Sequence, residues 1–194
     1  HTSSRRQRQM CIRDRARYAA LAQEAGMVPI VEPEVLMDGK HSAKDCFNKT
    51  SEVIKRCYDE LDINKVDLKG TILKPNMILP GTDSNETISN NEVAEMTLEC
   101  LKNNVPSDVP GIAFLSGGQT EVEATNNLNQ INVKNDTSFI MTYSYGRALQ
   151  QSALKFWSKD INNIKGTQEV FDHRAKMCTL AAQGKWSESL ENSK

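Results

Sequence analysis

The sequence predicts an α/β protein built as half of a (β/α)8 barrel, and three observations lead there. First, short β-rich runs at residues 28–31, 68–73, 111–115 and 138–142 alternate with segments of helical apolar period. Such alternation describes parallel strands buried beneath helices. Second, a doubly wound sheet usually places a glycine fingerprint after its first strand. Here the first run meets Glu32-Pro33-Glu34 instead. Third, a whole barrel needs eight strands in about 250 residues, and this 194-residue chain offers four candidates.

Between the first two runs, Cys46, Phe47, Val53, Ile54, Cys57, Tyr58 and Leu61 recur with a 3.6-residue period, one face of a helix. Ser89-Asn90-Asn91-Glu92 then forms a capping box, whose hydroxyl and carboxylate satisfy free N–H groups at a helix start. Val93, Met96, Cys100 and Leu101 supply that helix's buried stripe. A third helix is expected over residues 120–131, after Gly117-Gly118. A fourth follows Gly146 and carries Leu149, Ala153, Phe156 and Trp157. A last one over residues 162–183 presents Ile164, Val170, Arg174, Cys178 and Ala181, and Gly184 suits its end.

Net charge is −1 and the apolar share is 38%, so neither a nucleic acid nor an anionic membrane is expected as a partner. No apolar run approaches the roughly 20 residues of a membrane span. Five scattered cysteines, without a CxxC pair, argue against a disulfide framework and against zinc. Cys46, Cys57 and Cys178 fall on apolar stripes and read as buried free thiols. Sequons at Asn48, Asn85 and Asn135 lack a secretory signal and read as chance matches. A reducing, cytoplasmic setting is expected.

Residues 1–15 differ from the rest, with five arginines in fifteen positions. A basic targeting arm is one reading; translated adaptor sequence joined to a truncated reading frame suits RQRQMCIRDR better. The segment is therefore expected to be a disordered, non-native leader, with the fold occupying residues 16–194.

In barrels the chemistry sits at the C-terminal ends of the strands. Here those ends read VEPE, LKPNM, FLSGGQ and YSYGRALQ. Lys74 closes an apolar run at the rim of a buried sheet, where lost hydration favours a neutral amine able to attack a carbonyl. Pro75, lacking an N–H, stops the ladder there. An isolated lysine at such a position more commonly reaches out to solvent. Glu32 and Glu34, two apart on an extended segment, are expected on one side of it. A carboxylate beside the lysine could move protons as an imine forms and collapses; a solvated loop is the plainer reading. Ser116-Gly117-Gly118 opens a helix, where backbone N–H groups can converge on an anion. Tyr145-Gly146-Arg147 repeats the arrangement and adds a guanidinium suited to phosphate.

Taken together, PIVEPE, GTILKPNM, FLSGGQ and YSYGRALQ resemble the last four strand ends of class I fructose-bisphosphate aldolases, in that family's order. Glu32 to Lys74 and Lys74 to Ser116 are each 42 residues apart, in keeping with the resemblance. It implies a partial (β/α)8 barrel comprising strands five to eight, and a glycolytic lyase. Lys74 would form a Schiff base with fructose 1,6-bisphosphate, and carbon–carbon cleavage would yield glyceraldehyde 3-phosphate and dihydroxyacetone phosphate. The protonated imine is the electron sink, so no metal or other cofactor is implied. Glu32 matches the family's acid–base glutamate and Glu34 its neighbour, while Ser116, Gly117, Gly146 and Arg147 match substrate-phosphate residues. The family's first four strands, which carry an aspartate and further lysines, have no counterpart here, so this fragment alone is expected to be inactive. The resemblance further implies a homotetrameric parent enzyme. Two other readings stay open: another Schiff-base sugar-phosphate aldolase, and a non-catalytic scaffold retaining the fold.

Overall fold

The computed structural model describes the backbone of residues 2–192 and the side chains of residues 11–192. Four parallel strands lie in sequence order: β1 (Ile30–Val31), β2 (Ile72–Leu73), β3 (Gly111–Phe114) and β4 (Ile140–Tyr143). Helices separate them: α2 (Ala43–Ile63), α3 (Asn90–Asn104) and α4 (Glu121–Lys134), with α5 (Arg147–Trp157), α6 (Ile164–Ala182) and a short α7 (Glu188–Glu191) following β4. This is the architecture of a partial barrel. The strands are shorter than the sequence suggests, because a 3-10 turn at Leu68–Gly70 takes the start of the second run. Leu68 carries no ladder bond there; Thr71 N–H returns to its carbonyl instead.

The register explains the two faces of the sheet. Val31, Leu73, Ile112 and Met141 form one row, all at most 2% exposed and packed into the helices' core. Side chains alternate along strands, so the neighbouring row of Ile30, Ile72, Gly111 and Ile140 points the other way. Ile30 and Ile140 are 45% and 74% exposed. One face is a finished core, whereas the other, the interior of a barrel, is uncovered in this chain.

The helix starts follow the sequence closely. Ser42, Ser89 and Thr120 cap α2, α3 and α4, each with a reciprocal bond from the acidic residue three positions on. The expected stripes are buried at Ile54, Cys57, Leu61, Val93, Leu101, Cys178 and Ala181. Trp157 and Ile164 depart from expectation: both are exposed and line an open groove between α5 and α6. Cys46, Cys57, Cys100 and Cys178 are buried free thiols, and Cys11 is exposed. Burial pushes the Cys57 and Cys100 thiols up to about 11, so they stay protonated at neutral pH.

Two elements were not foreseen. Helix α1 (Thr2–Glu24) runs through the segment expected to lie outside the fold. Ile12 is buried, and Arg13 pairs with Glu60 of α2 at 3.1 Å, so residues 11–15 pack on the body as ordered helix. The apolar spacing of Ile12, Ala16 and Ala19 was masked by the surrounding arginines. Helix α7 is held by Arg174 of α6, whose guanidinium grips Glu191 at 2.6 and 2.9 Å and also donates to Thr125 of α4. Trp186 Nε1 donates to the same carboxylate at 2.7 Å.

Candidate active site

At the C-terminal edge of the sheet, Lys74 N–H donates to Val31 O at 2.7 Å, which extends the β1–β2 register by one residue. Partners in a parallel register share a face, so Lys74 and Glu32 must lie side by side. Lys74 Nζ stands 3.1 Å from Glu32 Oε1, with the lysine side chain 21% exposed and the glutamate 43%. Both project to the uncovered face, the side opposite Leu73.

Glu34 does not join them. β1 ends at Val31, so strand alternation no longer governs residue 34; Pro33 is buried, and Glu34 is exposed without an ion pair among the described residues. What holds the segment after Pro33 is a residue the sequence reading passed over. Asn76, 1% exposed, accepts from Val35 N–H through Oδ1 at 3.1 Å. Its Nδ2 donates to Thr50 Oγ1 and Met77 O, both at 3.0 Å. The only signal was an amide side chain directly after Lys-Pro at a strand end.

Ser116, Gly117 and Gly118 follow β3. Gly117 and Gly118 have φ of +55° and +81°, and a Cβ on Gly117 would meet Met37 Cγ at 3.3 Å, so glycine is favoured there. No described group accepts an N–H from these three residues. The helix behind this loop is partly closed: Thr120 and Glu123 cap it reciprocally and Glu121 adds another carboxylate, while the N–H groups of Glu121 and Val122 have no acceptor among the described residues.

Beside it, Gly146 starts α5 without any side-chain cap, and the N–H groups of Arg147 and Ala148 have no acceptor among the described residues. The Phe114–Tyr143 register and the bond from Ser144 N–H to Phe114 O (2.8 Å) set the two loops next to each other. Tyr145 anchors the second loop: its buried phenol donates to Ala124 O of α4 at 2.9 Å. Burial raises that phenol well above its ordinary range, keeping it a proton donor. Arg147 itself is exposed and makes no ion pair among the described residues. Six of the seven residues picked from sequence thus border the strand ends as two clusters, a lysine–carboxylate pair and an uncapped, glycine-rich double loop with an arginine.

Comparison with known proteins agrees with this geometry. The profile of the family described as class-I fructose-bisphosphate aldolase matches residues 1–194. A probable class 1 fructose-bisphosphate aldolase of Xylella fastidiosa is 49% identical over 172 residues, 88% of this chain and 52% of that protein. A cytosolic fructose-bisphosphate aldolase of Arabidopsis thaliana is 48% identical over 170 residues, 87% of this chain and 43% of its own length. The solved aldolase of Plasmodium falciparum, in a complex with TRAP and a small-molecule inhibitor, superposes with a TM-score of 0.89 at 40% identity, covering 93% of this chain and 52% of that one. The chain spans about half the length of the curated relatives it matches. It belongs to the class I fructose-bisphosphate aldolase family.

Proposed function

We propose that a complete barrel carrying these residues reversibly cleaves fructose 1,6-bisphosphate to dihydroxyacetone phosphate and glyceraldehyde 3-phosphate through an imine on Lys74. The observation that carries this reading is the 3.1 Å pair of Lys74 and Glu32 at the strand ends. The carboxylate is placed to take a proton from the ammonium, which frees the nitrogen lone pair to attack the ketone carbon. Loss of water then gives the imine; protonated, it accepts the electrons of the breaking carbon–carbon bond. Glu32 is within reach of the protons this sequence moves. Ser116, Gly117, Gly146 and Arg147 hold a phosphate, with loop N–H groups and a guanidinium replacing its water. Glu34, exposed and unpaired, serves the site at most from its margin. Family membership further supports a homotetramer, and the Arabidopsis relative's name supports a cytosolic setting.

The test uses full-length protein. Borohydride added with dihydroxyacetone phosphate is expected to inactivate it irreversibly, while borohydride alone leaves activity intact. A protein that stays active under both treatments does not use an imine. Absence of sugar-phosphate cleavage altogether would favour a scaffold, and preference for another ketose phosphate would favour a related aldolase.

A further inference from the structure

We infer that Asn76 is a positioning residue for the Lys74–Glu32 pair, an inference that rests on the imine reading above. Glu32 and Lys74 lie just past the last ladder residues, where a parallel sheet no longer fixes spacing. Just below them the last ladder bond joins the two segments, Lys74 N–H to Val31 O at 2.7 Å. Above them the next is the bond from Val35 N–H to Asn76 Oδ1 at 3.1 Å. The two reactive side chains therefore sit between two cross-links, one of backbone and one built by the Asn76 amide.

That amide is itself immobilised. It is 1% exposed, and its Nδ2 is held by Thr50 Oγ1 of α2 and by Met77 O, with Cys46 Sγ at 3.8 Å. Thr50 is likewise 1% exposed. The helix behind the sheet thus fixes the asparagine, and the asparagine fixes the Glu-bearing loop against the Lys-bearing loop. Pro33 and Pro75 offer no N–H in this stretch; the donor is Val35 N–H, and the Asn76 side chain supplies its acceptor. Displacements of about 1 Å in a reacting pair cost on the order of a hundredfold in rate, and a free Val35 segment permits such displacement.

The experiment compares Asn76→Ala, Val35→Pro and Thr50→Val in full-length protein. Val35→Pro removes the donated N–H and leaves Asn76 intact, so it decides the question if Asn76→Ala fails to fold. Thr50→Val removes an acceptor of Asn76 while sparing the Val35 link, and reports the cost of disturbing the buried cluster. Expected for Asn76→Ala and Val35→Pro is a loss of about tenfold or more in kcat and in the rate of borohydride trapping. KM should stay within about threefold, because the phosphate loops are untouched. Thr50→Val should lower the melting temperature and cost less kcat than Val35→Pro, because Met77 O still holds the Asn76 amide. Wild-type kcat or wild-type trapping in Val35→Pro would overturn the positioning role. If wild-type protein cannot be trapped at all, the imine reading fails first, an outcome distinct from normal trapping in Val35→Pro.

Discussion

The β1–β2 end of the sheet and the β3–β4 end are built on opposite plans. At the first, side chains are already paired: Lys74 meets Glu32, and Asn76 binds the loop that follows. At the second, backbone N–H groups at Ser116 to Gly118 and at Arg147 and Ala148 stand without acceptors among the described residues, beside an exposed arginine. Proton transfer needs a donor and acceptor at fixed separation before substrate arrives, and the first end supplies it. Binding an anion needs donors that nothing internal already satisfies, as at the second end. The α4 start lies between the plans: Thr120 and Glu123 cap each other there, as at the paired end, while the N–H groups of Glu121 and Val122 have no acceptor among the described residues.

Substitutions should separate these ends. The largest effect is expected for Lys74→Arg, which keeps a cation beside Glu32 but removes the nucleophile. Activity should fall at least about 10⁴-fold, as with other covalent nucleophiles, while binding of a substrate phosphate, read by calorimetry, persists. Next comes Glu32→Gln, which keeps the side chain's shape and loses the proton acceptor. A fall in kcat of about 10²- to 10⁴-fold with little change in KM is expected; an effect confined to KM would move Glu32 from chemistry to binding. Arg147→Ala should do the reverse, raising KM about tenfold or more through a lost charge-assisted bond of about 1.5–3 kcal/mol and largely sparing kcat.

The smallest effect on chemistry, though not on stability, belongs to Glu191→Gln. Burial alone would raise the Glu191 carboxyl, but its hydrogen bonds and attraction to Arg174 outweigh that and hold it below the usual range. A depressed carboxyl contributes stability above its unfolded pKa of about 4.3, lost as pH falls through the lower folded value. The variant should therefore be destabilised by about 3 kcal/mol at pH 7, a difference that starts to shrink as pH falls below about 4.3 and closes only past the lower folded value, as followed by chemical denaturation. Kinetic constants that change along with this stability loss would mean that α7, through Thr125 and α4, also sets the anion loops.

How much of this was legible in the sequence depends on where each residue's partner lies. Lys74, Glu32 and the two glycine loops end apolar runs, and that placement is written locally. So are the capping boxes, since Ser89 and Glu92 find each other within one turn. Asn76 was not legible because its partners are 26 and 41 residues away, on α2 and the β1 loop. Period-two alternation does not fix Glu34, because β1 stops at Val31. Residues 11–15 were misread for a different reason: composition outweighed a three-residue apolar spacing that only the packing against α2 makes meaningful. The uncovered row of Ile30 and Ile140 is the converse case. Its residues look like core in sequence, and burying each contributes about 2 kcal/mol, which this chain leaves unrealised.

Peptide mapping of full-length protein reduced with borohydride in the presence of dihydroxyacetone phosphate bears most directly on the assignment of the reactive amine. One adduct is expected, on the peptide containing Lys74, and it should form far more slowly in Glu32→Gln. An adduct on another lysine, or none in active enzyme, would contradict the account.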